Sequence, residues 1–290
     1  MSHFAKTKIY FDGSHYIGIP PTIQTWKKKK FKNTKATDKI KEKFEELYKE
    51  NGNLRNKERK KIIATELEKE LKDTELTIDY VNKQFERKRK NDIERKKRLY
   101  RKVYLQEWNY FCTFTYDDKK LTETEFREKL TNCLRHLATR NKCKYIGVWE
   151  RSPTNNRLHF HSLIYAPSMI GTFETKTDYS TTNHQMQTAN QNTYFLERFG
   201  RNDFKPIDKN ELNQAVRYLT KYMEKTGERI VYSKGLGTYF VSDIIEIDIV
   251  CTIGKEDRKI LLFDDFYCLI DGELIGKVSQ DVIKKMPKTN

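Results

Sequence analysis

No stretch of this chain approaches the roughly 18 consecutive apolar residues needed to span a bilayer, and the opening MSHFAKTKIYFDG lacks the apolar centre of a secretory signal. The sequence therefore predicts neither a membrane-embedded nor an exported protein. Cysteine is sparse as well. Cys112, Cys133, Cys143, Cys251 and Cys268 are odd in number and form no C-x-x-C, which argues against a disulfide framework or a cysteine zinc site and fits a reducing compartment. Apolar residues make up only 37% of the chain and charged residues 34%. Even so, 290 residues suffice for one or two domains with a real core.

Positive charge is abundant. Lysine and arginine outnumber aspartate and glutamate 57 to 41, a net +16, which favours a polyanionic partner. Residues 1–110 hold 30 basic and 17 acidic side chains, giving +13, whereas 111–290 hold 27 and 24, giving +3. A solvated lysine-rich helix surface or an AT-rich genome would leave a similar mark, so charge alone names no partner.

The pattern divides the chain into residues 1–97, a basic and mostly helical N-terminal region; 98–250, an α+β domain; and 251–290, a C-terminal extension. Ile40, Phe44, Leu47 and Tyr48 have helical spacing, stopped by Gly52, and Ile63, Leu67 and Leu71 mark a second helix. A third, dense in charge, starts near Thr77 and is a candidate arm along a nucleic-acid backbone. Beyond it, YFCTFTY (110–116), KYIGVWE (144–150), LHFHSLIYA (158–166) and TYFVSDIIEIDIVC (238–251) read as strands. Thr122 with Glu125, and Asp208 with Glu211, mark two helix starts. The order β-α-β-β-α-β predicts a ferredoxin-like antiparallel sheet. The polar stretch 168–204 reads as a long loop.

On the strand LHFHSLIYA, His159 and His161 share one face while Phe160 points to the other. With helices on one side of the sheet, both imidazoles would converge on an open face. An H-x-H by itself marks either a metal pair or two unrelated histidines. Glu150, returned beside them by the turn at 152–156, completes a two-nitrogen, one-carboxylate set suited to Mg²⁺ or Mn²⁺. Taken alone, Glu150 reads equally as a partner of Arg151 or Arg157. AVRYLTKYMEKTG (215–227) repeats Y-x-x-K, placing Tyr218, Lys221, Tyr222 and Lys225 in one arc of a helix. The apolar stripe Leu212, Val216, Leu219 and Met223 lies elsewhere on that helix, so the phenols are expected to be exposed. A phenol beside an ammonium ionises more easily, and a phenolate can attack phosphorus.

YFCTFTY, HFH with the upstream Glu150, and YLTKYMEK together resemble the three motifs of HUH-superfamily rolling-circle replication initiator (Rep) endonucleases, and the doubled tyrosine is similar to the two-tyrosine phage and plasmid branch. YSKGL (232–236) is similar to that branch too. The resemblance covers about residues 98–250. It implies a ferredoxin-like HUH fold and metal-dependent nicking and joining of single-stranded DNA at a replication origin, through a 5′-phosphotyrosine that leaves a free 3′-OH. On this reading Tyr218, Tyr222, Lys221 and Lys225 are catalytic, and His159, His161 and Glu150 hold Mg²⁺ or Mn²⁺. A bacterial host's cytoplasm, helicase and polymerase are the implied setting and partners, since no G-x-x-x-x-G-K-[ST] is present to mark a fused helicase. A relaxase or single-strand transposase with the same site, or a non-catalytic nucleic-acid-binding protein, are the alternatives.

Overall fold

The computed structural model describes residues 3–21, 35–152, 156–168, 170–180, 184–226, 228–254, 258–263, 265–267 and 274–276. In chain order they form β1 (His3–Phe11), β2 (Tyr16–Ile19), α1 (Lys35–Glu50), α2 (Asn56–Leu71), α3 (Thr74–Tyr104), β3 (Tyr110–Thr115), α4 (Glu123–Arg140), β4 (Lys144–Arg151) and β5 (Leu158–Tyr165). There follow β6 (Phe173–Ser180), β7 (Gln185–Asn192), α5 (Thr193–Phe199), β8 (Asn202–Pro206), α6 (Lys209–Thr226), β9 (Val231–Tyr232), β10 (Phe240–Ile245), β11 (Ile249–Gly254) and β12 (Lys259–Leu262). Two compact units emerge: Thr22–Arg95, and Met1–Pro21 with Lys96–Asn290. Among the described residues no helix is long and apolar enough to cross a membrane.

The smaller unit is helical, as the periodicity predicts. Phe44, Ile63, Leu67, Val81 and Phe85 form its buried core, each contributing on the order of 1.5–3 kcal/mol by leaving water. α2 ends where Lys72 adopts a left-handed φ of 53° and its N–H bonds the Glu68 carbonyl.

The larger unit is α+β and is built, among the described residues, around two five-stranded antiparallel sheets. The first has the order β8-β3-β5-β4-β9, so β5 lies between β3 and β4, the strands that α4 connects. Its central strands β4 and β5 are buried on both faces because helices cover both. Phe126, Leu130 and Leu134 of α4 pack on Phe114, Trp149 and Phe160. Val216, Leu219 and Met223 of α6 pack on Ile146, Val148 and Leu163. The open histidine face expected from the sequence is therefore corrected: α6 lies over it. Gly147 permits the layering on the opposite side, since a Cβ there would stand 2.3 Å from the Phe160 ring and 2.7 Å from the His161 carbonyl oxygen.

Residues 238–251 do not supply the last strand of this sheet. A 3-10 turn at Glu246–Asp248 divides them into β10 and β11, and the place beside β3 is taken by β8. β10 and β11 instead belong to a second sheet, ordered β10-β1-β2-β12-β11, over a core of Ile9, Ile244, Ile260, Leu262 and Phe266. β1 and β2 thus sit inside a sheet rather than in a helical extension, and β12 comes from the stretch assigned to the C-terminal extension. The stretch 168–204 is likewise not a loop. It folds into the β6–β7 hairpin and α5, with Thr177 and Thr188 hydroxyls 3.2 Å apart across the ribbon.

Candidate active site

β3, β5 and β4 run side by side, and their inward rows meet at the histidines. Thr113 and Val148 flank His161, while Thr115 and Glu150 flank His159. The Thr115 hydroxyl lies 2.7 Å from His159 Nδ1, and the Thr113 hydroxyl 3.1 Å from His161 Nδ1. Each imidazole is thereby oriented with its Nε2 directed away from β3. Glu150 reaches diagonally, placing Oε2 2.9 Å from His161 Nε2. Glu150 and His161 are both only 5% exposed, so this is a buried contact and electrostatically strong. Burial, and then the neighbouring His161, lower the His159 pKa to about 4, leaving a neutral imidazole with a lone pair to offer at neutral pH.

α6 delivers the phenols. Its start is fixed by a reciprocal cap: the Glu211 N–H donates to Asp208 Oδ1 at 2.8 Å, and the Asp208 N–H to Glu211 Oε2 at 3.3 Å. With Val216, Leu219 and Met223 pressed on the sheet, residues 218 and 222 fall one turn apart beside His161. The Tyr222 ring stacks on the imidazole at 5.0 Å and 12°, and the Tyr218 ring meets it edge-on at 5.3 Å. The two phenol rings are 4.5 Å apart, and Phe111 closes the group at 5.5 Å from Tyr218.

Tyr218 is 39% exposed, whereas Tyr222 is half-buried and packs against the α6 core. Burial raises the pKa of both phenols. A hydrogen bond between them eases ionisation of Tyr218 and hinders that of Tyr222, and Tyr222 also bonds the Glu150 carboxylate. Among the described residues, an imidazole and a carboxylate are the polar groups set against the two phenols. Lys221 is exposed. Lys225 is in α6 by its backbone, and its side chain lies outside the described residues.

Among the described residues no three His, Cys, Asp or Glu side chains are grouped so as to hold a metal ion. Glu150 and His161 are joined directly, and the His159 ring is 6.1 Å from that of His161. In chemical kind the donors fit a divalent cation: one carboxylate and two imidazoles, whose Nδ1 atoms face hydroxyls in the way outer partners orient metal-binding histidines. Sequence reasoning missed Thr113, Thr115 and Phe111. Their signal was the alternation in YFCTFTY, which sets all three on the histidine face.

β3 through α6 hold every residue of this site. No curated protein and no solved structure matches the chain. Residues 109–227, the span that contains the whole site, match the model of the replication-associated protein ORF2 family.

Proposed function

We propose that the chain is a rolling-circle replication initiator that nicks and rejoins single-stranded DNA at an origin through a tyrosine adduct. The observation that carries this reading is the convergence of two phenols on a buried Glu150–His161 pair, within the segment similar to replication-associated proteins. Phenols, imidazoles and a carboxylate in one cluster suit phosphoryl transfer on a polyanion, and the net charge of +16 suits the polyanion.

Tyr218 acts first, being the more exposed phenol and the one whose ionisation its partner assists. Its oxygen forms a bond to phosphorus as the P–O3′ bond breaks. The phenolic proton leaves through the neighbouring polar groups, and the departing oxygen takes up a proton to become a free 3′-OH. Tyr222 then serves the second cut, and attack by the 3′-OH on a phosphotyrosine rejoins the strand. His159, His161 and Glu150 would hold Mg²⁺ or Mn²⁺, whose chemistry is to neutralise charge on the non-bridging phosphate oxygens. Lys221 and Lys225, one turn along α6 from the phenols, act on the phosphate backbone.

Cleavage of a labelled single strand in the presence of Mn²⁺ tests the reading. An SDS-resistant protein–DNA adduct supports it, and binding without any adduct supports the non-catalytic alternative.

A further inference from the structure

The second sheet and the end of α3 carry a pattern that the nicking reading does not use. Tyr10 of β1 and Tyr239 beside β10 are neighbours, their ring centroids 5.4 Å apart. The Lys8 ammonium stands 4.9 Å from the Tyr239 ring, and the Arg101 guanidinium 4.0 Å from the Tyr10 ring. One residue further along α3, Lys102 stands 4.7 Å from the Tyr232 ring and donates to the Leu236 carbonyl at 3.0 Å. Three tyrosines thus each carry a cation, and Tyr239 and Tyr232 are 40% and 39% exposed. Two carboxylates of the same sheet region are engaged elsewhere: Asp12 with His15, and Asp243 with the Lys6 backbone N–H.

The pattern continues toward the phenols. Tyr104, one turn after Arg101, meets Phe11 edge-on at 5.9 Å and donates its hydroxyl to Asn213 of α6 at 2.5 Å. Tyr104 thus links the second sheet to α6, the helix that bears the two phenols.

Exposed rings paired with cations suit an unpaired nucleic-acid strand. Bases stack on the ring faces whatever their sequence, and the cations take the phosphates. We propose that Tyr10, Tyr232 and Tyr239, with Lys8, Arg101 and Lys102, form a stacking platform that holds the single strand flanking the scissile phosphate. The proposal rests on single-stranded DNA being the substrate, and it places strand binding outside residues 109–227.

Three variants of the full chain test it against a labelled mixed-sequence single strand of about 30 nucleotides, long enough to cover more than one site of the usual size. Joint Tyr10→Leu and Tyr239→Leu substitution weakens binding by about tenfold or more, whereas joint Tyr10→Phe and Tyr239→Phe, which keeps both rings, binds within about twofold of wild type. Joint Arg101→Gln and Lys102→Gln reduces the slope of log K against log salt by about 0.7 for each cation removed. Wild-type affinity in the leucine variant overturns the platform. So does equal loss in the phenylalanine variant, which would mark the tyrosines as structural only. If the leucine variant loses affinity while wild-type protein forms no phosphotyrosine adduct, the platform stands and the nuclease reading falls. If the adduct forms and the leucine variant binds normally, the nuclease stands and the platform falls.

Discussion

The Tyr222 ring lies nearly flat on the His161 imidazole, 5.0 Å away and 12° from parallel, whereas Tyr218 approaches the same imidazole edge-on. The two phenols are therefore not interchangeable. Tyr222 is held by stacking and by its bond to Glu150, and Tyr218 is the freer of the two. Tyr218→Phe should reduce first-strand cleavage to background. Tyr222→Phe should retain the first cut and lose the second transfer. Denaturing gels of single-turnover reactions separate the two steps, and the opposite assignment would reverse the order of attack.

Glu150 and His161 form one buried unit, with both side chains only 6% exposed. Glu150→Gln keeps an oxygen that accepts from His161 and should leave the thermal midpoint nearly unchanged. It should nonetheless lower nicking by about 10²–10³-fold, the scale for losing one electrostatic group in a site. Glu150→Leu leaves a buried imidazole without that partner and should cost about 1–3 kcal/mol of stability besides. Calorimetry with a nicking assay on both variants separates the chemical from the structural contribution.

Gly147→Ala tests the layering beneath the histidines. The new methyl would meet the Phe160 ring and the His161 carbonyl oxygen at 2.3 and 2.7 Å, and a backbone oxygen in a central strand cannot swing aside. Overpacking of this kind costs about 1–3 kcal/mol. Denaturant unfolding should show that loss, and nicking should fall with it because His161 must shift.

The α4 cap carries a pH dependence. Thr122 and Glu125 bond each other reciprocally, and the backbone and side-chain bonds of Thr122, then Lys129, lower the Glu125 pKa from 4.5 to about 2. A carboxylate with a depressed folded pKa stabilises the fold fully above its unfolded value. That stabilisation is lost as pH falls from about 4.5 through about 2. Glu125→Gln should therefore flatten the stability profile of wild type within that window and leave its slope above pH 5 unaltered. Thr122→Ala, which removes the cap oxygen, should cost about 1 kcal/mol at neutral pH.

The helices other than α5, and the strands β3, β4 and β5, were legible because each shows a strong period of its own. Phe126, Leu130 and Leu134 repeat at helical spacing, and the Asp208–Glu211 cap announced α6. β1 was hidden by a bulge between Phe4 and Thr7, where Lys6 takes a φ of 52° and breaks the alternation. β6 and β7 were hidden because their cross-strand pairs are threonines and asparagines, which give no apolar rhythm. At the site, HFH and YLTKYMEK were visible in one dimension. The seating of α6 on the histidine face was not, since it depends on which side of the sheet a crossing helix takes. That seating sets the phenols beside Glu150 and His161, and it decides their acidity.

The central claim is that a phenol of α6 becomes covalently joined to DNA. The direct measurement incubates the full chain with a random-sequence single-strand library and Mn²⁺, denatures it in SDS, and maps the modified peptide by mass spectrometry. The account predicts a 3′-labelled fragment attached by its 5′-phosphate to Tyr218, and a 5′-labelled fragment released with a 3′-OH that a polymerase extends. An adduct on a residue outside α6, or cleavage that leaves no adduct, would contradict it.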